Sequence, residues 1–105
     1  MRPEDVSPRA GELYLLDVRE PVEWQAGRIA GSHPIPLGEL YLRLVEVPRD
    51  RTILAVCRHG NRSEAAMRGL RTLGYTSENL EGGVTAWHRA GLPLEADGGG
   101  PGKVV

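Results

Sequence analysis

Five consecutive apolar residues, Ile53-Leu54-Ala55-Val56-Cys57, run straight into the polar stretch Arg58-His59-Gly60-Asn61-Arg62. So short and continuous an apolar run suits a central parallel strand covered on both faces, because neither side of it meets water. The strand is predicted over 52–57. Beyond the polar stretch, residues 63–73 place Ala66, Met67, Leu70 and Leu73 on one helical stripe, with Gly74 just past its end. A buried strand, a compact loop and a helix follow one another directly.

The rest of the chain repeats this alternation. Residues 13–18 read as a second buried strand, and 20–26 as a short helix with Pro21 near its first position and Gly27 ending it. Leu37, Leu40, Tyr41, Leu44 and Val45 follow helical spacing, closed by Pro48. Residues 75–80 are a further strand segment, and 85–90 a last short helix ended by Gly91, with Pro93 as a stop. Trp24 and Trp87 fall in short helices and are expected as core or boundary packing. Strands alternating with helices give an α/β class: a small open, mainly parallel sheet flanked by short helices. The 14 Gly and 8 Pro suit short elements joined by tight turns and exclude a long coiled coil. With 105 residues, one domain is expected over 5–95, followed by a flexible Gly-rich tail over 96–105.

The longest apolar runs, 13–16 and 53–57, fall far short of the roughly 20 residues of a membrane span. The first twelve residues are polar and proline-broken, so a cytoplasmic protein with no membrane partner is expected. The net charge of −1 gives no footprint for nucleic acid. Its distribution is uneven. Residues 49–71 hold six arginines against Asp50 and Glu64, a net +4, while the remainder carries −5. Positive charge therefore gathers around Cys57, the only cysteine, which excludes an intramolecular disulfide or a C-x-x-C redox pair. His33, His59 and His88 have no metal-ligand spacing with it, so neither a metal nor a cofactor is expected.

A strand-to-helix loop at the end of a parallel strand is where open α/β sheets bind ligands. Its backbone N–H groups lack ladder partners, and the following helix aims its positive end at the same space. Such a cradle suits anions, and helix N-termini and nearby cations lower a thiol's pKa from about 8.5. Gly60 supplies backbone freedom that a side chain would obstruct. An ordinary core cysteine needs neither two arginines nor a glycine in the next five positions, which points to Cys57 as a reagent rather than filler. Asp17 and Arg19, at the end of the first strand, are expected as an ion pair fixing the turn before Pro21. His59 is expected on the rim, and Asn61 and Ser63 are expected to cap the helix.

Cys57-Arg58-His59-Gly60-Asn61-Arg62-Ser63 resembles the active-site loop of the rhodanese family, whose single-domain members often read C-R-x-G-x-R-S. Leu16-Asp17-Val18-Arg19-Glu20 is similar to the family's D-x-R-E strand end. Residues 23–36 resemble its E-[YFW]-x-x-G-H-I-x-G-A-x-N-I-P segment, and Glu81-Gly82-Gly83-Val84-Thr85-Ala86-Trp87 with Gly91-Leu92-Pro93 its G-G-x-x-x-W and G-x-P ending. The chain departs from the pattern at Arg28, Ser32, His33 and Pro34, positions that are mainly architectural in the family.

The resemblance implies a sulfurtransferase working through a persulfide on Cys57, with thiosulfate or another sulfane-sulfur donor. The acceptor would be cyanide, a thiol or a protein from outside the chain. Arg58, His59, Gly60, Asn61 and Arg62 would bind substrate, with Asp17, Arg19 and Ser63 in support. Two other classes share some features: a Cys-Arg phosphatase or arsenate reductase, and a non-catalytic rhodanese-like binding module. The phosphatase signature has five residues between Cys and Arg, whereas Cys57 and Arg62 enclose four.

Overall fold

A computed structural model describes residues 1–105. Four short parallel strands, β1 (Tyr14–Asp17), β2 (His33–Pro34), β3 (Ile53–Val56) and β4 (Ser77–Asn79), form one sheet in the order β2-β1-β3-β4. Helices α1 (Pro3–Val6), α2 (Pro21–Ala26), α3 (Asn61–Thr72) and α4 (Gly83–Arg89) cover it. The small open parallel sheet expected from the alternating pattern is present, with β2 as an added edge strand. No helix is long and apolar enough to cross a membrane.

Strand pleating sorts the apolar residues into two cores. Ile53, Ala55 and Cys57 join Leu16, Leu40, Ala66 and Leu70 on one face, while Leu54 and Val56 join Leu15, Leu80, Val84 and Trp87 on the other. Successive β3 side chains point to opposite faces, so a strand buried on both sides must be apolar at every position. From β1 the chain goes to β2 on one side and later returns to β3 on the other. The strand order therefore reverses between β1 and β3, which opens a crevice beyond their carboxyl ends. Asp17 and Cys57 stand at those ends.

One expectation changes. The helical spacing over 37–45 is realised as two 3₁₀ segments, Leu37–Leu42 and Leu44–Glu46, rather than one α-helix. The three-residue repeat aligns Leu37 with Leu40, which is buried, and turns Tyr41 and Val45 out to solvent. Residues 96–105 double back against the end of α2. Lys103 N–H donates to Ala26 O at 2.9 Å, Asp97 N–H to Gln25 O at 3.0 Å and Gly102 N–H to Leu94 O at 2.8 Å. Glycine permits this close approach, since a Cβ on Gly27 would run into the backbone of Lys103. Of the two tryptophans, Trp87 is buried, with Nε1–H donating to Pro93 O, and Trp24 lies at the boundary beneath Arg28.

Because Leu54 is fully buried in β3, Leu54→Ala should cost about 2–5 kcal/mol in unfolding free energy. Leu42→Ala, at a position 87% exposed, should stay within about 0.5 kcal/mol. Urea denaturation of both variants checks the assignment; equal losses would contradict it.

Candidate active site

β3 ends at Val56, and α3 begins at Asn61, so only four residues turn the chain. Gly60 makes the turn as the residue preceding α3, with φ of 104°, a conformation L side chains rarely adopt. The turn is tight enough for Gly60 N–H to point back at Cys57 Sγ, 3.1 Å away. The Ser63 hydroxyl reaches the same sulfur at 3.2 Å. Although Cys57 is 1% exposed, its sulfur is met by polar donors. Burial pushes the thiol's pKa up. Hydrogen bonds from the Ser63 hydroxyl and from the amides of Ser63, Gly60 and His59 outweigh that effect and hold it below the ordinary value.

The back of the loop is held from two other elements. Val84 N–H and Thr85 N–H, in the first turn of α4, donate to Cys57 O at 2.9 Å and to Arg58 O at 3.1 Å. That contact requires Gly83, because a Cβ there would collide with both carbonyl oxygens. From the end of β4, Asn79 Nδ2–H donates to Gly60 O at 3.1 Å, while its Oδ1 accepts from the Ser63 hydroxyl at 2.5 Å. Ser63 thus serves the sulfur and Asn79 instead of capping α3, whose N-cap is Gly60.

Arg62, in the first turn of α3, has a partner on another element. Its guanidinium forms two hydrogen bonds, at 2.8 and 2.9 Å, to the carboxylate of Glu23 on α2. The hydrogen bond from Arg62 holds the Glu23 carboxyl below the usual carboxylate range. Arg62 therefore ties the loop to α2. α2 is itself fixed by the buried pair at the end of β1. Arg19 Nε–H and Nη2–H donate to the Asp17 carboxylate at 2.9–3.1 Å, Nη2–H also donates to Gly27 O at 2.7 Å, and Nη1–H to Glu23 O at 3.3 Å. The expected Asp17–Arg19 ion pair is present, and it clamps both ends of α2 as well as the turn. A buried charge pair persists when its remaining donors are also satisfied.

Arg58, His59 and Asn61 are exposed around the mouth of the loop. Arg28 and His33, where the chain departs from the family pattern, have other partners. Arg28 lies over Trp24 and pairs with Asp97 of the tail. His33 stacks on Tyr14 at the opposite end of β1, with ring centroids 4.2 Å apart. The sequence did not reveal Asn79 or the pairing role of Glu23. A polar Asn ending a strand beside the loop was the one available signal for the first. Glu23 appeared only within the helix and the family-like segment.

The family model for the rhodanese-like domain matches residues 4–90. The chain belongs to the rhodanese family. A sulfurtransferase of Allochromatium vinosum is 38% identical over 89 residues, covering 84% of this chain and 83% of that protein. An HTH-type transcriptional regulator of Mycobacterium tuberculosis is 41% identical over 103 residues, covering 89% of this chain and 46% of the regulator. The chain therefore spans less than half of that relative. The crystal structure of a rhodanese-related protein from Thermoplasma volcanium superposes with a TM-score of 0.87 at 37% identity, covering 90% of this chain and 94% of that one. Rhodanese-like domains thus occur among these relatives both in a protein named for sulfur transfer and in one named for regulation.

The Glu23–Arg62 pair has a testable pH signature. A carboxyl lowered in the folded state contributes stability above its unfolded pKa of about 4.3, and that contribution is lost as pH falls through the lowered folded value. Glu23→Gln should therefore destabilise the rhodanese domain at neutral pH by on the order of 1 kcal/mol, the range of partly exposed pairs. The difference from wild type should shrink progressively below about pH 4. Urea denaturation across this range measures it; a pH-independent difference would contradict the assignment.

Proposed function

We propose that the protein is a sulfurtransferase that carries sulfane sulfur as a persulfide on Cys57. The observation that carries this is the convergence of the Gly60 amide and the Ser63 hydroxyl on a buried sulfur. In the first half-reaction the Cys57 thiolate attacks the outer sulfur of thiosulfate or a related donor. The donor's S–S bond breaks, its electron pair leaves with sulfite from thiosulfate or with a thiolate from a persulfide donor, and Cys57–S–S⁻ remains. In the second, a nucleophilic acceptor attacks the terminal sulfur, the persulfide bond breaks, and the thiolate is restored. Charge is conserved in each half. The lone cysteine requires the acceptor to be external: a thiol, a protein, or cyanide as an assay reagent.

Each role follows from position. Loop amides that hold the thiolate also face the additional sulfur, so they lower the cost of the charged intermediate without reorganising. Exposed Arg58 meets the anionic donor, with His59 and Asn61 on the rim. Gly60 keeps the loop closed. Arg62, held by Glu23, maintains loop position and contributes charge at a distance. This pairing weighs against Cys-Arg phosphatase chemistry, in which a free guanidinium must embrace the tetrahedral phosphoryl group. The four-residue spacing points the same way.

Brief exposure to thiosulfate should add one sulfur atom to the intact mass of wild type, removable by a reducing thiol, and none to Cys57→Ser. Hydrolysis of an aryl phosphate by wild type should be negligible. A folded wild type without added sulfur, or a higher kcat/KM for the phosphate than for thiosulfate, would overturn the proposal.

A further inference from the structure

Two acceptors compete for one proton beside Cys57. The Ser63 hydroxyl lies 3.2 Å from Cys57 Sγ and 2.5 Å from Asn79 Oδ1. A hydroxyl has one hydrogen, so it donates fully to only one of them at a time. Asn79 cannot simply present its other end, because Nδ2–H is engaged by Gly60 O. Ser63 and Cys57 are fully buried and Asn79 is half-buried, so the hydroxyl itself finds no water and must choose between these two acceptors.

The preference changes with the state of the sulfur. A neutral thiol is a weak acceptor, so the short bond to the amide prevails, and the thiol's own S–H can donate to the Ser63 oxygen. A thiolate or persulfide anion attracts the hydroxyl through a charge-assisted bond, which is the stronger type. We propose that Asn79 is a positioning residue that competes with Cys57 for the Ser63 proton, so that the hydroxyl moves from the amide to the sulfur when the sulfur becomes anionic. Asn79 then acts in two directions: through Gly60 it keeps the loop closed, and through Ser63 it restrains ionisation of the resting thiol. The relevance to turnover rests on the sulfur-transfer proposal; the competition itself does not.

The charged groups near this triad are exposed Arg58 and His59 on the loop, Arg62 paired with Glu23 of α2, and the Met1 ammonium, which donates to Asn79 O and pairs with Glu81. All are retained in a double-mutant cycle on Ser63 and Asn79, so their influence cancels. The readout is the rate of Cys57 alkylation by iodoacetamide against pH, which requires no sulfur donor. Failure here is therefore separable from failure to form a persulfide.

Ser63→Ala should slow alkylation below the midpoint by removing a donor. Asn79→Ala with Ser63 present should give alkylation about tenfold faster than its effect in the Ser63→Ala background predicts, as one freed charge-assisted bond implies. Equal effects in both backgrounds would mean that Asn79 acts only through Gly60, and would overturn the proposal. If Asn79→Ala does not fold, Asn79→Asp decides the matter. It retains Oδ1 and strengthens the competitor, so it should slow alkylation more with Ser63 than without; an equal slowing overturns the proposal.

Discussion

A cysteine that is 1% exposed can hold negative charge on its sulfur only if donors inside the protein replace the water it has lost. At Cys57 those donors belong to the turn that follows it. The geometry depends on Gly60, whose positive φ lets the chain reverse in time for its own amide to face the sulfur. The same turn brings the first residues of α3, including Ser63, into range. One tight connection thus creates both a buried thiol and the polar environment that lowers its pKa.

The rest of the domain keeps that connection closed. β3, apolar on both faces, delivers Cys57 to the crevice where the strand order reverses. α4 binds the loop's outward carbonyls, and Gly83 permits its approach. Asn79 holds Gly60 O from the neighbouring strand. On the opposite side the Asp17–Arg19 pair anchors α2, whose Glu23 fixes Arg62. Most of these interactions join residues far apart in sequence, so the small loop rests on contacts from β1, α2, β4 and α4 together. Preorganised donors of this kind stabilise charge without having to rearrange as it develops.

Local pattern made the loop's surroundings legible. The apolar run at Ile53–Val56, the polar turn and the stripe through Ala66 and Leu70 each follow from spacing within a single element, and the strand-loop-helix succession located Cys57 correctly. Partner choice was not legible. Arg62 has the residue type of an anion ligand, but Glu23, 39 residues away, takes both of its hydrogen bonds. Ser63 has the residue type of a cap, yet the sulfur and Asn79 compete for it. At 37–45 the helical spacing was real but the backbone chose 3₁₀ geometry, which shares the i to i+3 alignment. The close approach of Gly102 to Gly27 was likewise a partner choice that local pattern did not show.

Amides and one hydroxyl hold the pKa of the Cys57 thiol below its ordinary value. Thiolate ultraviolet absorbance against pH tests it directly, because Cys57 is the only thiol. Wild type should show a midpoint below the ordinary value of about 8.5, and Arg58→Ala essentially the same midpoint. A wild-type midpoint at or above that value, or its return to that value when Arg58 is removed, would contradict the account.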